Sequence, residues 1–315
     1  MDNGWQNYGT DALKSCNNMY CYYVYLKKLL IQLQMNMFRI ASGYGIAKRL
    51  GRTLYFNTSA KYEQSGKVHK MLEHIQDIFP RSIEAFKLIK SEVIFETVPF
   101  ADDEQGRETC CKYEDPLRYI NNSAKFLELN TALVQNPLYF QDVMPDIREM
   151  FNFGECAIEA GMKKVRKMKM RNNYAICVHT RRTDFKRFGA ASDLVLTLSA
   201  TQRIAKENNL TEYVIFGDDQ DFMGKLAKEL RKNGSTNDEI VHISRHSELE
   251  DFFISSQVCK AFLISAPVST FGWWLAFFAP NQDSVYYMND TNAHILFRKR
   301  ITKELFLRNW KLLQV

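Results

Sequence analysis

Short apolar runs and amphipathic stretches alternate most regularly in the second half of the chain, where the connections between them are short. From residue 174 onward, this pattern predicts strands and helices in strict alternation. The predicted strands cover 174–179, 213–216, 240–243, 261–265 and 285–288, and the predicted helices lie near 197–208, 220–232, 247–257 and 270–278. Such an order predicts an α/β fold with a doubly wound parallel sheet in this half.

The first half of the chain has a weaker pattern. Apolar and small residues at helical spacing predict a helix over 35–50, and a buried strand follows over 53–56. Further on, the pattern predicts strands over 93–98 and 126–129 and helices over 138–151 and 155–169. Gly43 and Gly45 do not form a dinucleotide-binding loop, because no predicted strand precedes them and a third glycine is absent. We expect these glycines to permit close helix packing.

Length and composition indicate a globular protein of two domains. The chain has 315 residues, of which 46% are hydrophobic and 25% charged, and its net charge is +6. We divide it into a poorly defined segment over 1–34, an N-terminal α/β domain over 35–170 and a C-terminal α/β domain over 171–315. The boundary falls in the basic run 163–171, which we interpret as a solvated helix face or linker. Because no RNA- or DNA-binding motif accompanies this run, we expect no nucleic-acid partner.

The stretch 19–33 is apolar and aromatic, but Lys27 and Lys28 interrupt it. It therefore predicts neither a transmembrane helix nor a signal peptide. We expect a soluble chain, an unusual anchor or a sequence that lacks its true N-terminus.

The seven cysteines include no C-x-x-C pair and no histidine spacing typical of zinc, so we expect no structural metal. Cys177 and Cys259 fall in apolar or helical contexts, where we expect small buried thiols. N-x-S/T sequons at Asn57, Asn121, Asn209, Asn233 and Asn289 would accept glycans if the chain entered the secretory pathway.

The densest group of charged residues follows the predicted strand 174–179. This strand ends at His179, and Arg181, Arg182 and Asp184 come directly after it. Ligands of open α/β sheets bind beyond the carboxyl ends of the strands, and a guanidinium matches phosphate oxygens two at a time. The pair of arginines therefore predicts a diphosphate site. The alternative is a solvated basic turn, which the neighbouring loops disfavour.

Two further predicted strands end on polar loops at the same edge. Asp219 and Asp221 have the D-x-D form with which some sugar-nucleotide enzymes hold a divalent metal, but two arginines neutralise the same charge without one. Ser269 or Thr270 predicts a helix cap whose free N–H groups accept phosphate. The alternative is an ordinary cap, with Phe271, Trp273 and Trp274 in the core.

Glu250 and Asp251 lie in the predicted helix 247–257. These carboxylates either bind a base or ribose hydroxyl of a nucleotide or belong to a solvated helix face.

These motifs resemble those of a known family. His179-x-Arg181-Arg182-x-Asp184 is similar to the His-x-Arg-Arg-x-Asp motif of the α1,2- and α1,6-fucosyltransferases. The segment 269–274, Ser-Thr-Phe-Gly-Trp-Trp, resembles that of the α1,2-fucosyltransferases (glycosyltransferase family 11), and Phe-Gly-Asp-Asp at 216–219 also fits.

The resemblance implies a GT-B fold of two Rossmann-like halves, the N-terminal one on the acceptor side and the C-terminal one binding GDP-fucose. It implies a galactoside α1,2-fucosyltransferase of protein glycosylation and carbohydrate metabolism, which transfers fucose with inversion to a galactose-terminated glycan. It further implies that no metal or other cofactor is required, and that the protein is a glycoprotein of the Golgi membrane with a lumenal catalytic domain.

By the same resemblance, Arg181 would hold the β-phosphate and Arg182 would brace the site, while Asp184 would orient the arginines or act as a base. The implied donor-binding residues are His179, Arg181, Arg182, Asp251, Ser269, Thr270 and Phe271.

One stretch departs from the family pattern. Relatives usually carry a Gly-Asn-Gln loop before the first helix, whereas this chain has Gln34-Met35-Asn36, with Asn36 as a candidate to line the cleft. Two alternatives stay open. One is a fucosyltransferase of another linkage, α1,6 or protein O-linked; the other is a catalytically silent relative that binds a GDP-sugar or glycan.

Overall fold

The computed structural model describes residues 23–26, 33–61, 65–101, 111–131, 134–172, 174–232, 240–289 and 303–314. The chain divides into two compact units between Gly154 and Glu155.

The N-terminal unit is built on a five-stranded parallel sheet with strand order β3-β2-β1-β5-β4. The strands are β1 (Tyr23–Leu26), β2 (Thr53–Asn57), β3 (Lys87–Ile89), β4 (Glu96–Pro99) and β5 (Phe126–Asn130), and the helices are α1 (Leu33–Arg49), α2 (Ser65–Ile78) and α3 (Met144–Met150). The central strand β1 lies inside the segment 1–34, to which the sequence pattern assigned no element.

The prediction for this unit is confirmed in part. The helix over 35–50 and the strands over 53–56 and 126–129 correspond to α1, β2 and β5. The strand predicted over 93–98 is placed too early, since β4 begins at Glu96. The region 138–151 is helical only in short pieces, two 3-10 turns followed by α3.

Gly45 lies in the C-terminal half of α1, where the helix meets the chain at Tyr139 and Phe140. A Cβ atom on Gly45 would stand 2.0 Å from the carbonyl oxygen of Tyr139. This contact requires glycine and confirms the packing interpretation for Gly45. A strand, β1, does precede α1, but the glycine is inside the helix and not in a strand-to-helix loop.

The C-terminal unit is built on a six-stranded parallel sheet with strand order β11-β10-β9-β6-β7-β8. The strands are β6 (Ala175–Thr180), β7 (Glu212–Gly217), β8 (Ile240–Ile243), β9 (Cys259–Ile264), β10 (Val285–Met288) and β11 (Lys311–Leu313). The helices are α4 (Glu155–Met168), α5 (Leu194–Glu207), α6 (Gln220–Lys232), α7 (Glu248–Val258) and α8 (Thr270–Phe278). Every strand and helix predicted from residue 174 onward is present, and the parallel sheet is confirmed.

Helix α4 belongs to the C-terminal unit, so the units divide before the boundary placed at 170/171. A Cβ atom on Gly161 of α4 would stand 2.1 Å from the ring of Phe253 in α7, and Lys164 pairs with Glu250 at 3.0 Å. This packing ties α4 to α7, although only Ala157 and Gly161 of α4 are buried. The basic run is therefore largely a solvated helix face, one of the two interpretations given above.

Cys177 of β6 and Cys259 of β9 form a disulfide, with Cα atoms 5.3 Å apart. The expectation of two buried thiols is wrong, because the sheet places these strands side by side. Both residues are fully buried, whereas Cys156 is free and exposed.

Among the residues that the structure describes, no helix has the length and apolar character needed to cross a bilayer.

Candidate active site

The fully buried strand β6 ends at Thr180, and the loop after it is held by a chain of hydrogen bonds. The backbone N–H of Arg181 donates to Ser192 Oγ at 3.0 Å, and Ser192 Oγ lies 2.7 Å from Ser265 Oγ. Ser265 Oγ in turn donates to the carbonyl of His179 at 2.7 Å. These hydrogen bonds join the carboxyl ends of β6 and β9 and hold the loop in a defined conformation.

Arg181 is held on one side by carboxylates. Its Nε donates to Asp184 Oδ1 at 2.9 Å and its Nη2 to Oδ2 at 3.3 Å, while Asp218 Oδ2 lies 3.3 Å from Nε. Nη1 makes no hydrogen bond with any described residue, and the side chain is 24% exposed. Arg181 is thus oriented by its neighbours with one edge left for a ligand.

Asp184 is placed to orient Arg181. Partial burial raises the pKa of this carboxyl, but the hydrogen bonds and charge of Arg181 outweigh burial and leave the pKa below its ordinary value. A carboxylate with a lowered pKa is a weak proton acceptor. Of the two roles inferred for Asp184, the geometry favours orientation over that of a base.

Arg182 braces the same loop. Its Nη1 donates to the carbonyl of Ser192, and its Nε lies 3.6 Å from Asp219 Oδ2. The guanidinium also lies 4.4 Å from the centre of the Phe222 ring. These contacts fit the bracing role inferred from the motif.

Asp218 was named in the sequence analysis only as part of the motif 216–219, without a role in the site. Its Oδ1 accepts from the Arg182 N–H at 2.8 Å, and its Oδ2 accepts from the Thr183 N–H at 3.1 Å and from the Thr183 hydroxyl. The carboxylate therefore holds the backbone of the arginine loop and one arginine side chain together. The signal for it was its place at the end of β7, the strand next to β6.

Asp219 and Asp221 lie in different environments. Asp219 accepts the Phe222 N–H at 3.0 Å at the start of α6 and pairs with Lys186 at 3.1 Å, whereas Asp221 is exposed. The Phe222 hydrogen bond is the main cause of the lowered pKa of Asp219. Asp219 therefore stabilises the start of α6 and holds Lys186. The described residues contain no group of three metal-ligating side chains.

His179 is a buried neutral imidazole. Burial and the charge of Arg181 lower its pKa to about 3. The centre of its ring lies 5.8 Å from the centre of the Phe271 ring, and a Cβ atom on Gly272 would stand 2.4 Å from Nδ1. Neither ring nitrogen has a hydrogen-bond partner among the described residues. The ring fills the space between β6 and α8, and its contact with a donor stays a prediction.

The segment after β9 begins α8 with a serine cap. Ser269 Oγ accepts from the Gly272 N–H at 3.4 Å, which confirms the predicted cap. Phe271, Trp273 and Trp274 are buried in the core, as the alternative interpretation proposed. The phosphate contacts inferred for Ser269, Thr270 and Phe271 stay predictions.

Asp251 lies in the first turn of α7 but is only 5% exposed, so the solvated-face alternative is wrong for it. It accepts a hydrogen bond from Ser244, and burial raises its pKa to about 8. Glu250 is occupied in the capping box of α7 with Ser247 and in the pair with Lys164. The nucleoside contact inferred for Asp251 stays a prediction.

Asn36 and Gln34 lie in the first turn of α1, and both side chains are buried. The departure from the Gly-Asn-Gln pattern is thus helical in this chain. The role of Asn36 in lining a cleft stays a prediction.

The family model for glycosyl transferase family 11 matches residues 117–314, more than half of the chain. The chain belongs to glycosyl transferase family 11. The resemblance given by the motifs is thereby confirmed, and the chain is a glycosyltransferase.

Relatives in Caenorhabditis elegans extend the match. The chain is 30% identical over 274 residues to svh-11, named provisionally as a galactoside 2-alpha-L-fucosyltransferase, with 82% of this chain and 69% of svh-11 covered. It is 28% identical to a galactoside 2-alpha-L-fucosyltransferase of the same organism, with 80% of this chain and 66% of that protein covered.

Solved structures of fucosyltransferases share the fold. POFUT1 in complex with GDP aligns with a TM-score of 0.52 at 10% identity, over 85% of this chain and 98% of POFUT1. A variant of Arabidopsis thaliana FUT1 in complex with GDP aligns with a TM-score of 0.51 at 11% identity, over 89% of this chain and 74% of FUT1. The family 11 chain is GT-B-like, as the resemblance implied.

Proposed function

We propose that this family 11 member transfers L-fucose from GDP-fucose to the 2-hydroxyl of a terminal galactose on a glycan, with inversion and without a metal. The observation that carries the proposal is the pair Arg181 and Arg182 at the carboxyl end of β6. Each side chain is 24% exposed; Asp184 and Asp218 hold Arg181, and Asp219 and the Ser192 carbonyl flank Arg182. This arrangement suits a diphosphate, and relatives named as galactoside 2-alpha-L-fucosyltransferases support the donor and acceptor.

In the proposed reaction, the bond between the anomeric carbon of fucose and the β-phosphate oxygen breaks, and the electron pair leaves with GDP. The galactose hydroxyl attacks the opposite face of that carbon and releases its proton. Charge develops on the departing diphosphate, so fixed cations lower the barrier more than they favour the bound donor. Arg181 and Arg182 supply those cations, while Asp184 and Asp218 keep Arg181 oriented.

The test is release of GDP from GDP-fucose by the purified chain in the presence of EDTA, with and without a terminal-galactose acceptor. We expect the acceptor to stimulate release. Arg181→Ala should weaken donor binding by about ten- to a hundredfold, the equivalent of a charged hydrogen bond, and reduce turnover further.

Arg203→Ala is the matched control, because the Arg203 side chain is exposed on α5 and pairs only with Glu207 among the described residues. Wild-type turnover by the Arg181 variant would overturn the proposal. Linkage analysis of the product separates the α1,2 assignment from α1,6 and protein O-linked transfer. GDP binding without turnover would identify a silent relative.

We also propose a lumenal location in the Golgi. The buried disulfide between Cys177 and Cys259 supports it, because disulfides persist in oxidising compartments. Co-fractionation of the tagged protein with a Golgi marker tests it, and a cytosolic distribution would contradict it.

A further inference from the structure

We propose that Asn121 and Asn209 are N-glycosylation sites of this protein and that Asn57 is not, although all three lie in N-x-S/T sequons. The proposal rests on where the fold places the three side chains and on the hydrogen bonds that each one makes.

Asn121 is exposed in the turn between the 3-10 helix Pro116–Tyr119 and β5. The neighbouring Asn122 stabilises this turn, since its Oδ1 accepts from the Ala124 N–H at 2.9 Å and its Nδ2 donates to Glu96 at 3.0 Å. The side chain of Asn121 makes no hydrogen bond with any described residue. Its amide is therefore free to carry a glycan.

Asn209 occupies a similar position in the turn between α5 and β7. Here Asn208 stabilises the turn, because its Nδ2 donates to the Ile204 carbonyl at 2.9 Å and its Oδ1 accepts from Ser284 at 3.1 Å. Asn209 and Thr211 are exposed, and the Asn209 side chain has no hydrogen bond within the described part of the chain.

Asn57 differs in each respect. It is the last residue of β2, which lies between β1 and β3, and its side chain is 7% exposed. Its Oδ1 accepts the Ser59 N–H at 3.0 Å, and Thr58 and Ser59 are buried too. A glycan on this nitrogen would have no path to solvent in the folded unit.

The two exposed sites also lie away from the edge where function is expected. Asn121 precedes β5 and Asn209 precedes β7, so each lies where the strands of its own sheet begin. Ligands of parallel sheets bind where strands end. A glycan at Asn209 therefore leaves the arginine loop of its own unit open.

In the modification, the asparagine Nδ2 forms a bond to C1 of the reducing-end sugar of a lipid-linked oligosaccharide. The bond from that carbon to the lipid diphosphate breaks, the diphosphate leaves with the electron pair, and the amide loses one proton. The buried disulfide is consistent with folding in the oxidising compartment where this donor is found.

The test is secretion of the full chain from insect cells behind a cleavable leader, followed by enzymatic deglycosylation that converts each occupied asparagine to aspartate. Peptide mass mapping should find conversion at Asn121 and Asn209 and none at Asn57. Peptides with Asn233 and Asn289 are scored separately, since those sequons include residues outside the described ranges.

Sequons are best removed at their third residue, because Asn209 has a φ of 53° that few other side chains adopt easily. Ser123→Ala and Thr211→Ala should each lower the apparent mass on a gel by that of one glycan, and the control Ser59→Ala should leave the apparent mass unchanged. Far-UV circular dichroism of the whole chain confirms that each variant is folded. An occupied Asn57 in secreted folded protein, or an unmodified Asn121 or Asn209, would overturn the proposal.

Discussion

Loss of the disulfide between β6 and β9 should destabilise the C-terminal unit strongly. The perturbation is the double variant Cys177→Ala/Cys259→Ala. Its control is Cys156→Ala, which removes a free and exposed thiol. The bonded cysteines are 82 residues apart in sequence. For a loop of that length, the chain-entropy relation gives about 4.5 kcal/mol at 25 °C.

A change of that size is a large share of the stability of an ordinary domain, about 5–15 kcal/mol. For a unit of this length, it corresponds to a fall in melting temperature of about 9–18 °C. Trp273, Trp274 and Trp310 are buried in the C-terminal unit, so tryptophan fluorescence follows its unfolding directly. The assay is guanidinium unfolding of the oxidised parent, the double variant and the Cys156 control.

We expect the midpoint of the double variant to fall and that of the control to stay near the parent value. Addition of a thiol reductant should lower the parent to the level of the double variant. Alkylation of the native, unreduced protein should label Cys156 and leave Cys177 and Cys259 unlabelled. A loss of stability below about 1 kcal/mol, together with labelling of both buried cysteines, would refute the reasoning.

Three further predictions concern the site. Asp218→Asn should lower kcat/KM for GDP-fucose about tenfold with little effect on the fold, because a charged hydrogen bond is lost from the arginine loop; an unchanged value in a donor titration would count against the role of Asp218. Asp251 has a pKa raised to about 8, so the folded state retains a proton that the unfolded state releases, and the contribution of Asp251 to stability falls as pH rises from about 4 to 8. Asp251→Asn should remove that decline. The melting temperature of the variant should therefore rise relative to that of the parent as pH rises from about 4 to 8, and the difference should stay constant above about pH 8. A difference that does not change with pH would argue against a buried protonated carboxyl. Gly272→Ala should cost about 1–3 kcal/mol, since the new Cβ would stand 2.4 Å from His179 Nδ1. Gly224→Ala in α6 has no atom within 4 Å of the new Cβ and should be neutral or slightly stabilising in the same thermal melt.

The sequence determined the elements of the C-terminal unit almost completely. Strands such as β6 and β7 are short apolar runs, and helices such as α6 carry amphipathic spacing, so each local pattern is sufficient to identify its element. The Ser269 cap and the arginine loop were identifiable for the same reason, since each is contained in a few consecutive residues.

The tertiary structure decided which distant residues meet. Asp218 joins the arginine loop only because β7 lies beside β6, and Cys177 bonds to Cys259 only because β9 lies on the other side. The short strands β1 and β3 offer too few residues for a periodic pattern, and in β3 only Ile89 is buried. Asp251 has the local sequence of a solvated helix face, and its burial follows from the packing around α7. Contacts between residues far apart in sequence leave no local pattern, so the sequence identified the motifs while the sheet order decided how their side chains combine.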